Sequence, residues 1–181
     1  MSRRAAKAPK ALKAPKVKNT TDLPKEAAHK ALRGAGGDDG RAGEKASVRA
    51  LEVTEAYLEK IGKEARELLK IKKMETVKPD TLDYILQRNP CHPKAGIIAA
   101  FRGRKYKAGE TRIRDSTADR IFSKAGGDLR TSADAKKYLG AIANGYLALL
   151  SEKAAFLASV AGRKGVKVSD IENAVVMLGT L

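Results

Sequence analysis

The chain repeats itself. Val77-Lys78 recurs 89 residues on as Val166-Lys167, and at the same offset Tyr57-Leu58 falls on Tyr146-Leu147, Ala65 on Ala154, Leu82 on Ile171 and Arg41 on Arg130. The tetrapeptide "AGGD" at 35–38 recurs at 125–128, an offset of 90. The first copy therefore carries one extra residue in a loop, where insertions cost little. A duplication restricts the chain to folds in which one unit is used twice.

Each unit reads short helix, loop, long helix, loop, short helix. In the first, "TTDLPKEAAHKAL" starts a helix with Asp22 or Thr21 as cap, Pro24 in the first turn and Glu26 near the positive end of the dipole. "GAGGDDG" ends it after Leu32. A long helix over about Lys45–Lys72 follows, with Leu51, Thr54, Leu58, Ile61, Ala65, Leu68 and Leu69 on one face. After the loop "METVK", Pro79 opens "PDTLDYILQR". In the second unit, Ser116 caps "TADRIFSKA", and "GGDLRT" breaks that helix. The next helix carries the stripe Leu139, Ile142, Tyr146, Leu150, Ala154, Leu157 and Ala161; "RKGVKV" then leads to "SDIENAVVML". A long helix with two short neighbours cannot cover its own stripe, whereas two copies clasped together can. The expected fold class is all-α.

Composition agrees. The chain is 43% hydrophobic but only 4% aromatic, with no Trp, so small aliphatic side chains must fill a core of closely packed helices. A formal net charge of +16 points to a polyanion, with nucleic acid the default partner. No tract approaches the ~18 apolar residues of a spanning helix, and no apolar signal region follows the N-terminal basics, so no membrane partner is expected. Cys91 is the only cysteine and excludes an internal disulfide framework. Beside His92, and with His29 the only other histidine, it forms no metal-ligand spacing. Neither cofactor nor metal is expected. There are no paired carboxylates, no nucleophile–base set and no phosphate-cradling glycine loop, and the acids of "GAGGDDG" repel phosphate. An enzyme with a small-molecule substrate is not expected.

Four regions follow. Residues 1–21 form a tail with seven basic residues before the first acid, Asp22, and no apolar period, so disorder and phosphate contact are expected. Residues 22–88 hold the first unit. Residues 89–114 form a basic linker with a candidate extra helix, "PKAGIIAAFRGRKY", and cations including Arg102, Arg104, Lys105, Lys107, Arg112 and Arg114. Residues 115–181 hold the second unit.

"AGRKGVKVSDIENAV" resembles the second loop and third helix of archaeal and eukaryotic core histones, and "DRIFSKAGG…RTSADA" resembles their first helix and first loop. The resemblance is specific over about 114–178 and holds in length and pattern over about 22–88. It implies two histone folds in tandem, forming an intrachain histone-pair (handshake) dimer. Doublets of this kind with basic tails are typical of giant DNA viruses. The gap-free fit of "IGKEARELLKIKKMETVKPDTL" to histone 2B, and of the second half to histone 2A, favours a histone 2B–histone 2A type over a histone 4–histone 3 type.

The resemblance also implies a mechanism. The long helices cross antiparallel, so the first loop of each copy lies beside the second loop of the other. Arg41 then joins Lys164 and Lys167 at one end, while Arg130 joins Lys72, Lys73 and Lys78 at the other, with Thr76 and Thr131 in the same loops. The N-termini of the two first helices make a third phosphate site at the centre. Arg163 pairs with Asp170 to fix its loop and also contacts DNA. Met74 and Thr81 stand in their places in the first copy, where Asp80 is the alternative cap and the loop should be looser. Linker residues Arg102, Arg104 and Lys105 run along DNA.

The implied function is an architectural protein that bends and compacts double-stranded DNA without reading bases, in a nucleosome-like particle with a histone 4–histone 3-type doublet. The implied location is a virion and viral replication compartment or host nucleus, otherwise a nucleus or nucleoid. The alternatives are a histone-fold subunit of a transcription or chromatin complex and a basic RNA-binding or ribosomal protein. The dense loop cations argue against the first alternative. The duplicated helices and the lack of stacking aromatics in the loops argue against the second. Two departures are expected to matter. Leu181 falls just after the third helix, leaving out the histone 2A docking segment and weakening the hold on a neighbour. The surface of the histone 2A acidic patch reads Asn144, Leu149 and Glu152, losing most of its charge.

Overall fold

A computed structural model describes residues 21–36, 41–88, 98, 100, 101 and 112–179. The first copy runs α1 (Lys25–Ala35), β1 (Arg41–Ala42), α2 (Glu44–Lys72), β2 (Thr76–Val77) and α3 (Pro79–Arg88). The second runs α4 (Asp115–Ala125), β3 (Arg130–Thr131), α5 (Ala133–Val160), β4 (Gly165–Val166) and α6 (Val168–Leu178). Element for element they are the same unit.

Several helix ends differ from the sequence expectation. Pro24 is the N-cap of α1 rather than part of its first turn, and no side chain caps it. The helix runs through Gly34 to Ala35, and Gly36 closes it, its N–H donating to Leu32 C=O at 3.3 Å and Arg33 C=O at 3.2 Å. Arg114, not Ser116, is the N-cap of α4, so Ser116 lies in the first turn with nothing to cap. Ser132 does cap α5, its Oγ accepting from the Ala135 N–H at 3.2 Å. The long helices end alike. Met74 N–H donates to Leu69 C=O at 3.0 Å, and Arg163 N–H to Ala158 C=O at 2.9 Å. Each closure needs a left-handed residue, Lys73 at φ 51° in one copy and Gly162 at φ 66° in the other. Ala161 is thus the C-cap of α5, exposed rather than part of its buried stripe.

The core lies where the long helices cross. Tyr57 and Tyr146 occupy equivalent positions, are fully buried, and stack with ring centroids 4.0 Å apart and planes 11° apart. A residue can meet its own counterpart only on a two-fold axis, so this pair marks the pseudo-dyad. Each first helix lies across the other copy's long helix, α1 on α5 and α4 on α2, while α3 and α6 each touch both long helices. Two equivalent ties bridge the copies: Arg49 Nε stands 3.7 Å from Glu172, and the Tyr138 hydroxyl donates to Asp83. Leu51, Leu58, Ile61 and Leu139, Ile142, Leu150 share one continuous core, so neither copy buries its stripe alone. Burying apolar area at ~25 cal/mol per Å² is what drives the clasp.

The linker feeds this core as well. Ile98 and Ile113 are fully buried, Phe101 packs partly against the cluster, and 98, 100 and 101 are helical. The remainder of the candidate extra helix, and the tail over 1–20, lie outside the described residues.

Candidate nucleic-acid interface

The crossing brings each first loop against the opposite second loop. Strand β1 pairs in parallel with β4, Arg41 opposite Gly165 and Ala42 opposite Val166. Strand β2 pairs in parallel with β3, Thr76 opposite Arg130 and Val77 opposite Thr131. Further backbone bonds lock the loops: Arg41 N–H to Lys164 C=O at 3.1 Å and Ser132 N–H to Val77 C=O at 3.0 Å. One end of the molecule therefore gathers Arg41, Lys164 and Lys167, the other Arg130, Lys72, Lys73 and Lys78, all exposed. Lys72 Nζ sits 4.5 Å over the Tyr84 ring, which draws it toward α3. Thr76 is half-buried beside Arg130. Arg102, Arg104 and Lys105 lie outside the described residues.

The loops are stiffened from beneath. Arg163 grips Asp170 through two parallel bonds, Nη1 to Oδ2 at 2.9 Å and Nη2 to Oδ1 at 2.7 Å, and Nη1 also donates to Gly165 C=O at 3.2 Å. Lys167 N–H donates to Asp170 Oδ2 at 2.8 Å. The hydrogen bonds from Arg163, joined by that backbone donor and by the charges of Arg163 and Lys167, hold the Asp170 carboxyl below the usual range. In the first copy the buried Thr81 fills the place of Asp170, its Oγ1 accepting from Lys78 N–H at 3.4 Å. Thr81 is the cap there, not the exposed Asp80, because the position equivalent to Asp170 is the one aimed at the loop. That single long bond replaces a bidentate ion pair.

Thr131 acts through its hydroxyl, which donates to Asp119 on α4. Asp119 also accepts from Ser123 Oγ at 3.2 Å and pairs with Lys136 at 3.0 Å. The loop of Arg130 is thereby tied to α4. Ala42 stands where Thr131 does, so the Arg41 loop has no such tie. The sequence reading missed Asp119, whose signal was the Asp-x-x-x-Ser spacing on one helix face, next in space to a loop threonine.

The centre is mixed in sign. The approach to α1 meets α4 there, Asp22 pairing with Arg120 at 3.2 Å. Asp22, Glu55, Glu59, Lys63, Arg120 and Lys124 line one depression. Burial first, then Asp22 and Glu59, push the Glu55 carboxyl up. The expected central phosphate site thus carries Asp22, Glu55 and Glu59 among its cations. Asn144 is also not where it was expected. It is buried inside the α5 face rather than exposed on a patch, whereas Glu152 is exposed.

Among the described residues, no group of three His, Cys, Asp or Glu side chains is placed to hold a metal, and no helix is long and apolar enough to cross a membrane.

The Arg163–Asp170 pair makes a sharp prediction. Asp170 exposes 4% of its side chain and Arg163 28%, so Arg163→Ala strands a nearly buried carboxylate. The melting temperature without DNA should fall by several degrees at neutral pH. A depressed carboxyl contributes stability above its unfolded pKa and loses it as pH falls through its folded pKa. The gap between wild type and variant should therefore close on acidification. Equal melting at neutral pH would reduce Arg163 to a surface charge.

Helix–strand–helix–strand–helix units, clasped with crossed loops, define the histone fold, present here twice in one chain and paired with itself. Residues 115–175, the second copy, match the family described as histone-like transcription factor (CBF/NF-Y) and archaeal histone. The crystal structure of the histone from Methanopyrus kandleri superposes with a TM-score of 0.68 at 23% identity, over 85% of this chain and 93% of that one. A likeness at that identity speaks for the fold, and its extent takes in both copies. No curated protein matches the chain in sequence.

Proposed function

We propose that this chain is an architectural DNA-binding histone doublet that bends and compacts duplex DNA. One observation carries the reading. The fold gathers two cation clusters, Arg41 with Lys164 and Lys167, and Arg130 with Lys72, Lys73 and Lys78, at opposite ends of one body of net charge +16. Separated clusters on a rigid body hold a duplex at separated phosphates, and the duplex between them must curve. Among the described residues no helix is rich in Asn, Gln and Arg to read bases, so preference among sequences comes from deformability.

In finer terms, residues 22–88 are a histone 2B-like fold and 115–181 a histone 2A-like fold, as in the doublets of giant DNA viruses. Arg102, Arg104 and Lys105 extend the DNA path along the linker. The partner is a histone 4–histone 3-type doublet, and the location is wherever that DNA is packaged: virion, viral compartment, nucleus or nucleoid. Nuclease digestion of DNA reconstituted with the chain, with and without such a partner, tests this. A protected fragment of fixed length that requires the partner is expected. A smear under both conditions would leave coating without a particle and sink the nucleosome-like reading.

A further inference from the structure

The segment leading into α4 is clamped, and the clamp is a single buried amide. Ile113 N–H donates to Asn144 Oδ1 at 3.1 Å, and Asn144 Nδ2 donates back to Ile113 C=O at 2.9 Å. Nδ2 also donates to Gly140 C=O at 2.7 Å, which leaves one amide orientation that satisfies all three bonds. Ile113 itself is fully buried. One turn back on the same face, Gly140 leaves room for the segment: a Cβ there would sit 2.0 Å from the Asp115 carboxylate. Gly140, Asn144 and the Ile113 pocket together form a seat for 113–115.

The first copy uses the same position for the same purpose, but less well. Glu55 is the counterpart of Asn144, and its carboxylate takes the Asp22 backbone N–H. An ionised carboxylate accepts but cannot donate, so it cannot close the second bond that Asn144 makes. Asp22 and Glu59 beside it repel phosphate. The α4 side of the centre is thus the firmly held side, and its flanking residues are cationic.

Those residues are Arg112 and Arg114. In extended backbone, the neighbours of a buried residue point to the opposite side. Arg114 is extended at φ −73° and ψ 146° and exposed, and Arg112 is half-buried. We propose that Asn144 is a positioning residue for DNA binding: by clamping Ile113 it presents Arg112 and Arg114 to backbone phosphates at the N-terminus of α4. An arginine on a loose tether must be ordered at each binding event, while one on a clamped strand is ordered beforehand.

This rests on the DNA-binding reading, and the test separates the two. The readout is the slope of log affinity against log salt on a mixed-sequence duplex, with melting of the free protein alongside. Four chains are compared: wild type, Arg112→Ala/Arg114→Ala, Asn144→Ala, and all three substitutions together. The arginine pair should lower the slope by up to about 1.8, two phosphates at about 0.9 each. Asn144→Ala should lower it comparably, and adding the arginine substitutions to it should change little more. Full additivity would make Asn144 merely structural and overturn the proposal. A steep wild-type slope untouched by the arginine pair would overturn it too. A wild type with no salt-dependent binding would instead defeat the DNA reading itself. Where Asn144→Ala fails to fold, Asn144→Asp, which keeps the acceptor and loses the donor, takes its place under the same criteria.

Discussion

Raising salt from 50 to 200 mM should weaken binding to duplex DNA by about three to five powers of ten, if six to ten phosphates are neutralised. The two ends supply seven cations, and the linker and tail carry more. Removing Arg41, Lys164 and Lys167 should lower the salt slope by up to about 2.7, and removing Arg130, Lys72, Lys73 and Lys78 by up to about 3.6. The second figure should fall somewhat short, because Lys72 already rests on the Tyr84 ring. Neither set should alter the melting of the free protein much, since all seven residues are exposed. Shuffling the DNA sequence at constant length should leave affinity nearly unchanged. Titration by fluorescence anisotropy decides it; a shallow slope with strong preference for one short site would contradict packaging.

The parts of this molecule that the sequence made legible are those fixed by repetition. An offset of 89 aligned Tyr57 with Tyr146, and the two rings meet at the dyad. The long helices were legible because their apolar residues keep a helical period over many turns, and the crossed loops followed from the resemblance. What stayed hidden depended on contacts between residues distant in the chain. Asn144 looks like a surface position when judged against a family pattern, yet its amide bonds a backbone 31 residues away. Thr81 lacks a charge, so nothing local marks it as the stand-in for Asp170. Ser116 has the chemistry of a cap, but Asn144 and Ile113 set the chain's entry angle and place Arg114 at that position instead. The central carboxylates were equally hidden, because Asp22 lies far from Glu55 and Glu59 until α1 folds back.

Two glycine-to-alanine substitutions should move stability in opposite directions. Gly34 lies in α1 with nothing within 4 Å of an added Cβ, so alanine there gains helix propensity and restricts the unfolded chain, worth about 0.4–1 kcal/mol. Gly62 lies in α2 under α4, where an added Cβ would stand 2.3 Å from the Phe122 carbonyl oxygen and 3.4 Å from the Gly126 amide nitrogen. Both neighbours are backbone, so no side chain can swing aside. The approach is as close from the other side, since a Cβ on Gly126 would meet the Gly62 carbonyl at 2.8 Å. The only relief is for α4 to lift, and α4 carries the buried Ala118, Ile121 and Phe122. Overpacking of this kind costs about 1–3 kcal/mol, occasionally more, against which the propensity gain is smaller. Gly62→Ala should therefore melt several degrees below wild type, Gly62→Val further still, and Gly34→Ala above it. The counterpart of Gly62 is Ser151, which is fully buried and already has a Cβ, so α1 accepts on α5 what α4 does not accept on α2. Lifting α4 also slackens Asp119 and with it the loop of Arg130, so Gly62→Ala should weaken DNA binding, although it removes no charge. Calorimetry of the free chains, read beside their DNA titrations, tests both halves of the argument; a Gly62→Ala protein as stable as Gly34→Ala would mean that the two copies are not packed this closely.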